Sequence, residues 1–264
     1  LIAAKILDLR KRRALMTITV LFTVGLPVVF YGIRAAYHLT DTAHTDPAGT
    51  QSAFATAVTL MAEFGYIAAV VLGATAGTDD LTDGMFRHLV ITGRPRLSLY
   101  LARIPAGLAI LLPLAAVGFT VAALVTAFLN DPTQQSVSAG EMIRAGLWLE
   151  LYLVVGYAVG LGFGVLMGQR TVPVVVLIVL EIIIVPALAG HALPHFINLE
   201  RLFAGVAMAQ LKPAMVAGGS GFGPTSHGGF QLPLMPTWAL ITVIGAWIIG
   251  WLGIGAWKMT TRDA

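Results

Sequence analysis

Residues 79–100 read DDLTDGMFRHLVITGRPRLSLY, the most polar stretch of an oily chain. Two adjacent acids open it, Phe86 and Arg87 sit in its middle, and a Gly93-Arg94-Pro95-Arg96 turn leads out of it. Apolar runs flank it on both sides, and their length decides the fold. About 20 mostly apolar residues cross the roughly 30 Å of a bilayer's hydrocarbon. The pattern predicts six such segments, at approximately 14–37, 52–76, 104–129, 145–167, 171–189 and 238–257. The polar stretch is then the connection between spans two and three.

Composition agrees with that reading. Of 264 residues, 57% are hydrophobic and 11% charged, and the mean hydropathy is +0.84. A soluble domain carries about 25% charged residues, so the chain reads as an all-α integral membrane protein forming one domain over residues 1–264. The net charge of +3 and the pI of 9.4 reflect few acids. The basic residues lie beside apolar spans, where lipid head groups explain them, and nucleic-acid binding is not expected. With no cysteine there is no disulfide, thiolate nucleophile or Cys-based metal site. Leu1 in place of Met predicts that residues precede it, and the first apolar run reads as a span, since no small-residue cleavage site comes after it.

Lys and Arg set the orientation. With the N-terminus inside, only Arg34, Arg144, Arg201 and Lys212 of the 16 basic residues fall outside. Both termini are therefore expected in the cytoplasm, with the chain multi-pass in the membrane, and the absence of cysteine is consistent with a bacterial inner (plasma) membrane. Trp148, Trp238, Trp251 and Trp257 fall near span ends, where an amphipathic ring is at home. Residues 168–170, GQR, make a tight hairpin between spans four and five.

Three segments lie beside the spans. Residues 1–13 place Ile2, Ile6 and Leu9 at helical spacing, which predicts a helix lying in the inner membrane surface. Residues 190–237 form a long outside segment, with short amphipathic or re-entrant helices first and a Gly- and Pro-rich irregular part after them. Within the inside loop, taken as residues 77–103, Asp80 or Thr82 is positioned to cap a short helix, the alternative being a solvated loop against the head groups. Met85, Phe86, Leu89 and Val90 give that helix an apolar face.

This arrangement resembles the ABC-2 type permeases, the membrane subunits of ATP-driven exporters. The resemblance covers the whole chain in topology, and its motif lies in GTDDLTDGMFRHLVITGRPRLSLYLARIP. There Asp80 or Asp83 takes the family's acid position, and Gly84, Arg87, Leu89, Thr92 and Arg96 match the remainder of the family's motif. Pro95 departs from it, standing where a small polar residue is common. The Ala- and Gly-rich character further resembles actinobacterial members. The resemblance implies a cytoplasmic coupling helix, with Phe86 at its centre, docked into a separate nucleotide-binding ATPase subunit. It also implies a second permease copy or paralogue, and efflux of drugs, antibiotics or lipids. The chain itself lacks a G-x-x-x-x-G-K-[ST] loop, so no cofactor is expected in it, and ATP and Mg²⁺ belong to the partner.

Acids within spans are costly and face the bundle or water. Glu63, Glu150 and Glu181 are accordingly the candidates for a substrate path, or else structural hydrogen-bond acceptors, with an interfacial place open to Glu150. Two ion-coupled acids, Glu63 and Glu181, would serve a secondary transporter, the alternative reading. His191 and His195 have metal-like spacing, but Pro194 interrupts them and no third ligand is near in sequence. Ser220 in GGSG imitates a protease nucleophile but lies in the outside segment, so neither a metal site nor an enzyme is expected.

Overall fold

The computed structural model describes residues 1–42, 46–82, 93, 95–129, 137–169, 171–179, 202–217 and 234–261. Every element among them is helical. The short helix α1 (Ile2–Lys11) precedes α2 (Arg13–Thr40). Then come α3 (Gln51–Thr82), α4 (Arg96–Phe128), α5 (Ala139–Met167) and α6 (Thr171–Val179). Two short helices, α7 (Ala204–Leu211) and α8 (Ala214–Ala217), precede α9 (Thr237–Thr261). Five of these, α2, α3, α4, α5 and α9, are long and apolar enough to cross a membrane. The remaining expected span begins as α6, and its continuation, residues 180–189, lies outside the described residues.

Helix α5 reaches beyond its hydropathy limit because its start is built from polar capping chemistry. Ser138 accepts from the Glu141 backbone N–H, and the Glu141 carboxylate reaches back to Ser138, so α5 starts six residues before its apolar run. It stops at Gly168, whose φ of 69° turns the chain sharply into the expected 168–170 hairpin. At the polar stretch, α3 continues through Asp79 and Asp80 to Thr82, and Pro95 precedes the first turn of α4. Asp80 and Thr82 are thus residues of the long helix, correcting the expectation that one of them caps a new one. Between these helices Gly93 takes φ 78°, open to glycine without strain.

Helices α3 and α5 form the centre, mostly buried, while α2, α4 and α9 turn apolar side chains outward. The two central backbones meet through glycines. A methyl on Gly73 would run into the backbone of Tyr157 and Leu161, and one on Gly160 into that of Val70. Gly77 and Gly164 extend the seam, which gives G-x-x-x-G on α3 and G-x-x-x-G-x-x-x-G from Gly156 on α5. Small residues at this spacing let helices pack closely where lipid provides no hydrophobic drive.

Helix α2 holds a wide π turn at Leu21–Gly25, where the Leu26 N–H reaches back five residues to Leu21. Pro27 explains its place: it has no N–H for the Thr23 carbonyl, and a wider turn relieves the clash of its ring with that carbonyl. The neighbouring helix uses the opening, since Gly118 of α4 lies directly on the Thr23 carbonyl. The two buried threonine hydroxyls of this stretch are satisfied locally: Thr19 and Thr23 donate to carbonyls four residues back at 2.9 and 2.7 Å.

The helical spacing of residues 1–13 is met by α1, which is set off from α2 by Arg12, whose ψ of 85° breaks the helix. Leu9 is buried and Ile6 half-buried against the core, while Ile2 is exposed. Short helices are also expected in the segment before the last span, and α7 and α8 stand there, with Val206, Ala207, Met208 and Val216 buried.

Candidate functional site

At the end of the bundle nearest α1, charges gather between four helices. Arg12 pairs with Asp79 across 3.0 Å, and the Asp79 side chain is only 5% exposed. Arg103 is fully buried in the first part of α4 and donates to the Gly77 carbonyl at 2.7 Å. The Tyr157 hydroxyl on α5 donates in turn to the Arg103 carbonyl at 2.7 Å. A buried guanidinium is tolerable only with such partners, and a hydrogen bond to a charged group contributes about 1.5–3 kcal/mol. Arg96 adds a long 3.4 Å contact to the Thr260 carbonyl near the end of α9. The two helices that bound the polar stretch are therefore tied to α1, α5 and α9.

Of the residues expected to couple to a partner, Arg96 is half-buried at the start of α4, and Asp80 lies in the last described turn of α3. Asp83, Gly84, Phe86, Arg87, Leu89 and Thr92 lie outside the described residues. Sequence reasoning missed Asp79 and Tyr157, and it counted Arg12 and Arg103 only as head-group charges. The signal for Arg103 was its place two residues before Pro105, inside the helix rather than ahead of it.

A second polar cluster lies toward the other end. Glu63 is twelve residues into α3, about 18 Å along its axis, and is half-buried. Lys212 stands between α7 and α8, and it and Glu63 act on each other electrostatically. The Lys212 ammonium lies 5.8 Å from the centre of the Trp148 ring, within cation–π reach. Trp148 stacks on Tyr152 (centroids 5.7 Å apart, planes 12° apart), and Tyr152 meets Tyr66 at 5.1 Å. The Trp148 indole N–H donates to the Met208 carbonyl at 2.9 Å, pinning α7 against α5. Trp247 does the same for Leu202 from α9, at 2.5 Å.

Trp148 is buried nine residues inside α5, covered by protein, whereas Trp238 and Trp257 are well exposed. Glu150 is eleven residues into the same helix, about 16 Å along it. It is half-buried and forms no hydrogen bond or ion pair among the described residues. Glu181, His191, His195 and Ser220 lie outside the described residues, so the structure brings only Glu63 of the three acids to a defined cluster.

Beside Lys212 a cleft of about 410 Å³ opens between α5 and the α7–α8 turn. Leu147, Trp148, Leu151, Leu211, Pro213 and Met215 line its apolar wall, with Glu141 and Arg144 at its rim. No group of three or more His, Cys, Asp or Glu able to hold a metal occurs among the described residues. No known protein-family model matches the chain, and no curated protein sequence matches it either.

Proposed function

We propose that this chain is the membrane-spanning permease subunit of an ATP-driven exporter of the ABC-2 type. It would move an amphipathic small molecule, such as a drug or antibiotic, or a lipid outward by alternating access. The observation that carries the reading is the charged network at the base of the polar stretch. Arg12–Asp79, Arg103–Gly77 and Arg96–Thr260 tie the flanks of residues 83–95 to the bundle. A partner that pulled on this segment would move α3 and α4 together, and α1, α5 and α9 with them. ATP biases such a transition only through its differential affinity for two states, so the connection must stay firm in both.

In this reading the α1 end faces the cytoplasm, as the Lys and Arg distribution predicts, and Phe86 and Arg87 enter a groove of the ATPase. Two permease chains enclose the path. The test is affinity purification in mild detergent from the native cells, with mass spectrometry of the recovered proteins. A stoichiometric soluble protein with a Walker motif supports the reading, and a second six-span protein with it would mean a heterodimer. An intact preparation with no ATPase refutes it. Replacing Phe86 and Arg87 together by Ala is expected to lose that ATPase from a permease that still folds.

A second reading, an ion-coupled secondary transporter, draws on Glu63 in its half-buried place opposite Lys212. It predicts uptake into or release from proteoliposomes of this chain alone, driven by an ion gradient without ATP.

A further inference from the structure

Helix geometry assembles one aromatic row from two central helices. Trp148 and Tyr152 are four residues apart on α5, and Glu63 and Tyr66 three apart on α3, so each pair shares a face. The rings run from Trp148 through Tyr152 to Tyr66, and Glu63 precedes Tyr66 by three residues on α3. Aromatic faces joined to one carboxylate attract a desolvated cation and have no comparable affinity for an anion. A cation is already there. Lys212 is delivered to the Trp148 face from the turn between α7 and α8, with Pro213 beside it. No direct ion pair joins Lys212 to Glu63 among the described residues. The lysine is therefore held by the ring and the longer-range field, a weaker hold than a hydrogen-bonded salt bridge.

The space for a larger cation adjoins it. The cleft of about 410 Å³ has Trp148 in its wall and Leu211 and Pro213, the neighbours of Lys212, opposite. That volume lies in the range of small-molecule pockets, about 300–1,000 Å³. Its rim carries one charge of each sign, and Glu141 is engaged with Ser138, so the mouth has no strong net field.

We propose that the cleft against the Trp148 ring binds an amphipathic organic cation, with Glu63 supplying a longer-range negative field, and that Lys212 is a tethered stand-in which the ligand displaces. The aromatic groups of the ligand take the apolar cleft, and its positive charge takes the place of the ammonium. Displacement of Lys212 frees the α7–α8 turn, so occupancy of the site is coupled to the position of that turn. This names a substrate class for the exporter reading and rests on that reading only for the ligand's fate, since binding needs no ATPase.

The test uses the full chain in lipid nanodiscs with radiolabelled tetraphenylphosphonium, and with tetraphenylborate as an anion of the same shape. Lys212→Met is expected to tighten tetraphenylphosphonium about tenfold and to weaken tetraphenylborate. Glu63→Gln is expected to weaken the cation about tenfold. Lys212→Arg keeps the tethered charge and should leave wild-type affinity, which separates occupancy from folding should Lys212→Met prove unstable. Unchanged cation affinity in Lys212→Met, or equal changes for both ions, overturns the proposal and leaves the exporter reading standing. Failure to recover an ATPase has the opposite effect.

Discussion

Gly160→Ala tests the central seam with the smallest possible change. The added methyl carbon would lie 2.9 Å from Val70 Cα and 3.0 Å from its carbonyl carbon, and closer still to the oxygen. Carbon atoms rest comfortably at about 3.5–4.0 Å, so the helices must part by roughly 0.6–1 Å. No rotamer change relieves this, because the obstacle is backbone. A gap of that size forfeits about a quarter to a half of the dispersion energy of each affected contact, and this is the most extensive helix pair among the described residues. The expected cost is about 1–3 kcal/mol, or a melting temperature lower by about 3–10 °C. Gly253→Ala on α9 is the control, since a methyl there meets nothing within 4 Å and gains helix propensity of up to about 1 kcal/mol. Both variants, purified in the same detergent, are compared by the loss of monodisperse protein on heating. Equal stability for the two would refute the close approach of α3 and α5.

Other sites make separate predictions. Asp79→Asn removes the partner of Arg12 in a nearly water-free place and should cost about 3 kcal/mol; a double variant with Arg12→Gln should recover part of the loss in a thermal-stability cycle. Tyr157→Phe deletes the hydrogen bond to the Arg103 carbonyl and is expected to lower stability by about 1 kcal/mol by the same assay. Trp148→Phe loses the tie to Met208, so limited proteolysis should cut residues 202–217 faster while the long helices stay intact.

Much of the architecture was legible from elementary rules, because apolar length depends on each segment alone. The five long helices cover five of the six predicted runs to within a few residues, and α1 and the turn at Gly168 stand where periodicity and glycine put them. What failed depended on partners distant in sequence. Trp148 reads as interfacial until α7, some 60 residues later, covers it. Lys212 counts as an outside charge and Arg103 as an inside one, yet the first stands over an aromatic ring and the second is sealed between helices. Two local signals were present and unused: Ser138 with Glu141 as a helix start, and the four-residue glycine spacing from Gly73 and Gly156. Among the candidate coupling residues, Phe86 and Leu89 were legible from an apolar period they share with Met85 and Val90, while Asp83, Gly84 and Arg87 were legible only by resemblance.

The wide turn in α2 has a consequence for the direction in which that helix points its side chains. A π turn amounts to one extra residue within an α-helix, and one residue corresponds to about 100° of rotation. Everything after Gly25 is therefore swung by that angle relative to an uninterrupted rod. Tyr31 gains its bond to Thr126 of α4, at 3.0 Å, from this offset azimuth. Shortening the segment 21–25 by one residue would close the wide turn and send Tyr31 round the helix, away from Thr126, while leaving hydrophobicity and span length almost unchanged. A single-residue deletion could thus rewire which helix α2 recognises without altering how the segment enters a bilayer.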